Sequence, residues 1–136
     1  MAYSDNIGYQ IVQMLEDDGV GTFATDIFLS KEPDSPDNCI TVYNTGGFPD
    51  DCITNGERQR EIHNFQVRVR NNDYLTAQTN MEAVRTSLEK TIKTLVDSGG
   101  TNTFHIWMTT LPIDLPRDTH NRVLLTANFA CMRSYS

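Results

Sequence analysis

Between His63 and Leu95 the hydrophobic period changes once, from two to three-and-four, and this change limits the fold more than any other feature of the chain. Phe65, Val67 and Val69 alternate with Gln66, Arg68 and Arg70, which predicts a strand with one apolar and one polar face. After Asn71-Asn72-Asp73, residues Ala77, Met81, Val84, Leu88, Ile92 and Leu95 follow helical spacing, with Asp73 as a plausible N-cap and Ser98-Gly99-Gly100 as the stop. Roughly 24 residues at 1.5 Å each make a helix about 36 Å long, enough to cross one face of a sheet.

The flanking regions supply further elements. Ser4 to Asp18 reads as an amphipathic helix on Ile7, Ile11 and Leu15, widened by Val12 and Met14. Ser4 or Asp5 can cap it, and Gly19 suits the left-handed position past its end. Gly8 inside the helix costs about 1 kcal/mol relative to Ala, so packing must support it. Thr22 to Leu29, Cys39 to Tyr43, Thr103 to Thr110 and Arg122 to Cys131 read as strands. Thr45 to Glu61 reads as a long polar loop, a length that in a compact domain is usually functional or mobile. The link between the last two strands, with Pro112, Pro116 and Arg117 to Asn121, is too long for a two-residue turn.

The expected architecture is α+β: a mainly antiparallel sheet of about five strands, one long helix on a face and a shorter N-terminal helix. No internal repeat or interdomain linker is apparent, and 136 residues suit one domain spanning 1–136. The apolar runs are four residues or fewer, so no membrane span is expected, and the start MAYSDNIGYQ does not read as a signal peptide, so a cytoplasmic product is expected. A net charge of −7 opposes tight wrapping of duplex DNA, whose affinity comes from Lys and Arg on phosphates.

A search for chemistry yields little. His63, His105 and His120 have no second ligand at helical spacing, and His105 shares a strand face with Trp107. Neither a nucleophile elbow nor a catalytic-cysteine sequence is present, and Gly46-Gly47 lacks the partners that phosphate cradling requires, so it reads as a turn. Cys39, Cys52 and Cys131 form neither a paired framework nor a zinc pattern; Cys39 and Cys131 are expected to be small buried hydrophobes. Asp34, Asp37, Asp50 and Asp51 could supply oxygens to Ca²⁺, but their spacing matches no EF-hand. We therefore expect no enzyme activity, no cofactor and no metal. Arg68 and Arg70 share one strand face, and Lys90 and Lys93 are placed on the polar side of the long helix. They read as an ordinary solvated face or as a contact complementary to an acidic neighbour.

One segment is more specific. Pro33-Asp34-Ser35-Pro36-Asp37-Asn38-Cys39 is an ordered turn leading into a strand, and the strand closes at Thr45-Gly46-Gly47-Phe48-Pro49. This pattern resembles a segment of the small minor capsid and tail terminator proteins of tailed bacteriophages. At motif level the resemblance covers mainly Ala24 to Pro49 and, more loosely, Phe65 to Arg70; in element order it covers most of the chain. It departs from the expected proline-rich pattern at Asp50 to Arg60.

The resemblance implies a structural virion protein at the junction of tail and neck, made in the host cytoplasm. Such a protein forms a ring, typically a homohexamer, that caps the tail tube and ends its polymerisation. The ring then joins the tube to the neck or head connector. The implied partners are copies of itself, the tail tube protein and the neck/head connector protein, with DNA passing through the lumen unbound. Asp34, Ser35, Pro36, Asp37, Asn38, Gly46, Gly47, Phe48 and Pro49, together with Arg68 and Arg70, are expected at subunit or partner interfaces. A head-completion or connector ring is the nearest alternative, and a small-ligand-binding α+β domain is one of another class.

Overall fold

The computed structural model describes residues 6–49, 60–89, 93–97 and 100–135. In chain order the elements are α1 (Ile7–Asp17), β1 (Ile27–Leu29), β2 (Cys39–Pro49), β3 (Arg60–Asn71), α2 (Tyr74–Glu89), β4 (Lys93–Asp97), β5 (Gly100–Leu115) and β6 (Val123–Tyr135). The strands form one sheet in the order β1-β2-β3-β6-β5-β4. Every neighbouring pair is antiparallel except β1 and β2, which run parallel. This is the expected α+β fold, with both helices on one face of the sheet.

The alternation in β3 does what its pattern requires. Phe65, Val67 and Val69 are fully buried toward the helices, as are Val42 on β2 and Ala127, Phe129 and Cys131 on β6. Phe65 and Phe129 are register partners whose rings stack, with centroids 5.3 Å apart and planes 6° from parallel. From α1 the core receives Ile7, Ile11, Val12, Met14 and Leu15; from α2 it receives Ala77, Met81, Val84 and Leu88. Gly8 lies where α1 crosses β1, and a Cβ there would stand 2.6 Å from Leu29 Cδ1. A side chain there would have to displace the tip of Leu29, so the glycine lets α1 lie close to β1 despite its poor helix propensity.

Local boundaries differ from the sequence expectation in several places: β3 begins at Arg60, inside the expected Thr45–Glu61 loop, and β5 extends the expected Thr103–Thr110 strand to Gly100–Leu115, while four further differences have a local physical cause. Asn6 caps α1, its side chain accepting from the Tyr9 amide at 3.0 Å, while Ser4 and Asp5 lie outside the described residues. Gly19 does adopt the left-handed conformation beyond the helix (φ +78°).

The strand expected from Thr22 shrinks to Ile27–Leu29. Its first residues form a turn in which the amides of Thr25, Asp26 and Ile27 all donate to the Thr22 carbonyl. Asp26 closes the turn by accepting from the Thr22 amide at 2.6 Å.

The long helix is capped by Asp73, as expected, with the Thr76 amide 2.9 Å from its carboxylate. However, α2 has 16 residues and stops at Glu89, and Lys93–Asp97 form strand β4 against Gly100–Phe104. Thr94 and Val96 are β-branched and favour that strand, whereas Leu95 continued the helical spacing by coincidence. Lys93 thus belongs to a strand, and Lys90 lies outside the described residues.

Finally, β2 does not stop at Tyr43. It runs on to Pro49 through a bulge between Asn44 and Gly46, so Gly46-Gly47 lies within a strand rather than ending one. Both glycines have positive φ (+103° and +143°), and a Cβ on Gly47 would overlap the Ile62 carbonyl. A bulge at this position needs residues without side chains.

The stacked pair at the centre gives a direct test. Phe65→Ala should cost about 3–5 kcal/mol of unfolding free energy, the range for removing a fully buried aromatic. Chemical denaturation should read this as a lower midpoint with an unchanged slope; a loss below about 1 kcal/mol would mean the pair is not central to the core.

Candidate contact surface

The helix-free face of the sheet is covered unevenly. Residues 30–38 cross its β2–β3 side before entering β2, and the strap is tied down by two arginines, Arg70 on β3 and Arg122 just before β6. Arg70, only 2% exposed, donates from Nη2 to the Pro36 carbonyl (2.6 Å) and from Nε to the Asp37 carbonyl (3.0 Å). Arg122, 3% exposed, donates from Nη1 to the Asp34 carbonyl (2.6 Å) and to Asp37 Oδ1 (3.2 Å). Its Nε donates to Asp118 Oδ2 at 2.8 Å. The turn thus spends its backbone carbonyls on satisfying two buried guanidinium groups, whose planar forks suit several acceptors at once.

Asn38 accepts from the Asn72 amide (3.1 Å), which joins the end of the strap to the start of α2. At its beginning, Ser30 donates its amide to the Val42 carbonyl (2.8 Å) and takes a positive φ of 65°. Glu32 lies 3.7 Å from both Arg68 and Arg70, and Arg68 sits over the Tyr43 ring at 5.6 Å.

The expected contact residues therefore fall into two groups. Asp34 to Asn38, Arg70 and Arg68 cluster at the N-terminal end of β2, where Asp34 presents a carboxylate 94% exposed. Gly46 and Gly47 lie toward its other end, on the strand segment that continues into Phe48 and Pro49. Eight residue steps of extended chain, about 26 Å, separate Asn38 from Gly46, so the fold does not bring the two motifs together. Arg70 contributes by holding the turn, its side chain being inside.

The remaining candidates are accounted for locally. Arg122 occupies the centre of the acidic group, between Asp34, Asp37 and Asp118, while Asp50 and Asp51 lie outside the described residues. Among the described residues no cluster of three or more His, Cys, Asp or Glu is arranged for a metal. His63 bonds Glu61 (2.8 Å), which also accepts from Arg133 (2.8 Å). His105 packs beside Trp107, with ring centroids 5.4 Å apart, on the helix-free face. Cys39 and Cys131 are free and buried; burial pushes the Cys131 thiol up to about 12, and Cys52 lies outside the described residues. No helix among the described residues is long and apolar enough to cross a membrane.

Arg122 and Asp118 were not singled out from the sequence. Their i, i+4 spacing is visible there, but in a segment that reads as a polar loop, where such a pair is ordinarily solvent-exposed and weak. Only the sheet, by burying Arg122, makes the pair matter. Backbone amides from Arg122 and His120 and the Arg122 guanidinium hold the Asp118 carboxyl below its usual value, the Arg122 amide contributing most. A depressed carboxyl contributes stability that is complete above its unfolded value, about 3.9, and fades as pH falls through the lower folded value. Asp118→Asn should therefore lower the melting temperature at neutral pH, and the gap to the parent should close below about pH 4. A gap that persisted unchanged into acid would show that the carboxylate charge is not what holds Arg122.

A family model described as bacteriophage tail terminator protein matches residues 14–135, a span that begins within α1 and includes all six strands. No curated protein matches the chain. With nearly the whole chain inside one family match, the protein belongs to the bacteriophage tail terminator family, a structural family of the virion tail that acts in tail completion.

Proposed function

We propose that the chain assembles with copies of itself into a closed ring of six that caps the tail tube, ends its polymerisation and joins it to the neck or head connector. The observation that carries this reading is the family match over residues 14–135. Head-to-tail contacts between identical subunits use two different patches, and a rotation that closes turns them into a ring. The formal charge of −7 per chain fits a lumen through which DNA slides without being held.

Within this reading, the two ends of β2 address different neighbours. The Asp34–Asn38 turn is a preorganised contact: Pro33 and Pro36 restrict the backbone, and Arg70 and Arg122 hold it before any partner arrives. Such a loop loses little entropy on binding. Gly46 to Pro49 forms the second contact, with Phe48 as an aromatic anchor of the kind whose truncation commonly costs 2 kcal/mol or more, roughly, at an interface.

Symmetry in the assembled particle is the deciding measurement, because isolated protein can remain monomeric if ring contacts form only on the tube end. A sixfold ring at the end of the tube is expected; a monomer or a twofold dimer there would refute the reading, and a ring confined to the connector would reassign it to head completion.

Phe48→Ala tests the anchor separately. The monomer should melt within about a degree or two of the parent while tail completion is lost, since an anchor whose contacts are with a neighbour contributes little to folding. Melting lowered by several degrees, with assembly retained, would make Phe48 a structural residue.

A further inference from the structure

Four large apolar side chains stand exposed among the described residues: Leu111 (70%), Leu75 (69%), Ile113 (48%) and Trp107 (36%). Three of them are on β5. The fourth opens α2, beside Tyr74, whose hydroxyl donates to Asp114 of β5 at 3.0 Å. Three of the four therefore lie along one stretch of one sheet edge, and the start of α2 is tied to the end of that stretch. Scattered exposed apolar residues need no explanation, but a group at a sheet edge does.

That edge has little strand cover. β4 pairs with β5 only from Gly100 to Phe104, so among the described residues His105–Leu115 has β6 as its sole strand neighbour. On the opposite side of the sheet, β1 pairs with β2 only from Ile40 to Val42, which among the described residues leaves Tyr43–Pro49 with β3 as its sole strand neighbour. The two uncovered stretches match in charge. Tyr43–Pro49 has no Asp, Glu, Lys or Arg, and His105–Leu115 has only Asp114, in a chain that is 21% charged.

The stretches are also offset along the strands. Through the sheet register, Asn44 stands level with Phe65, Phe129 and Met108. The free part of β2 runs from that level toward Pro49, whereas most of the free part of β5 runs the other way, toward Leu115.

We propose that the free edge of β2 in one copy, Asn44–Pro49, docks against Trp107, Leu111 and Ile113 on the free edge of β5 in the next copy. This rests on the ring reading and names the surface that closes it. Within one copy β5 runs antiparallel to β2, and a head-to-tail neighbour in the same orientation keeps that sense. Bringing the offset edges together slips each copy along its neighbour's strands, which is the stagger that closes a sheet into a barrel.

Side chains carry the contact more than a backbone ladder does. The Met108 amide is already taken by Glu89 Oε2 at 2.6 Å, Pro112 has no N–H, and the β5 register slips on both sides of Thr110. Those same features keep a free copy from pairing indefinitely through this edge.

The test uses the full chain in assembled tails. Thr45→Cys and Leu111→Cys are combined on a Cys52→Ser background, and the tails are oxidised while ring symmetry is read independently in the particle. Expected is a ladder of disulfide-linked copies that ends at the size of the ring and is absent from either single-cysteine variant. A visible ring without links overturns the edge assignment and leaves the ring reading standing. No ring in tails of the parent protein overturns both. Links from Leu111→Cys alone, giving dimers, would mean a twofold contact of patch with patch; links to another tail protein would mean a different occupant. Either result rejects the proposal. As a check independent of cysteine geometry, Leu111→Ser with Ile113→Ser should leave monomer melting unchanged and abolish the ring, and a ring that survives this pair rejects the proposal.

Discussion

The ladder between β3 and β6 supports everything else in the molecule. It runs without a register break from Arg60 to Asn71 on one strand and from Val123 to Ser134 on the other. Along it, buried side chains alternate with side chains on the helix-free face, so a slip of one residue would turn Phe65, Val67, Val69, Phe129 and Cys131 away from the helices. With so much apolar surface tied to one alignment, the register is not negotiable. The helices have a single place to bury their stripes, and the outer strands take their height from this central pair.

Because the central pair is rigid, it can hold irregular segments at its ends. Arg70 on β3 and Arg122 just before β6 stand near the same end of the ladder, where Arg70 pairs with Leu124. A buried guanidinium without acceptors would be strongly destabilising, and the turn at Asp34–Asp37 provides its carbonyls at that point. Sheet and strap are therefore mutually dependent. The cations inside satisfy the loop, and the loop satisfies the cations.

This use of arginine shapes the exterior as well. Arg70, Arg122 and Arg133 are all buried, and each is tied to carboxylate or carbonyl oxygens within the chain. Positive charge is thereby withdrawn from the surface of a chain that is already acidic, while carboxylates such as that of Asp34 remain in solvent. Against such an exterior, the nearly uncharged edges of β2 and β5 are the parts that can lose water at least cost.

Much of this was readable in the sequence. The change of period at residues 63–95 identified β3 and α2, the Asp73 cap set the start of α2, and Gly19 marked the end of α1, because period and capping are local properties of the backbone. The Pro33–Pro49 pattern pointed to the family. What local chemistry could not decide was every outcome set by a distant partner. Leu95 kept helical spacing yet lies in β4, because Gly100–Phe104 offered it a strand to pair with. Thr45–Gly47 looked like a turn and became a strand because β3 lies alongside. Arg70 looked like a surface charge, and only burial beneath a turn more than thirty residues earlier in the chain made it a structural tie. The exposed edge of β5 was likewise invisible, since exposure depends on where β4 stops. Sequence by itself determined the periodic elements and their caps; tertiary structure decided which polar groups were buried and which edges were left open, because burial and pairing are properties of neighbours in space.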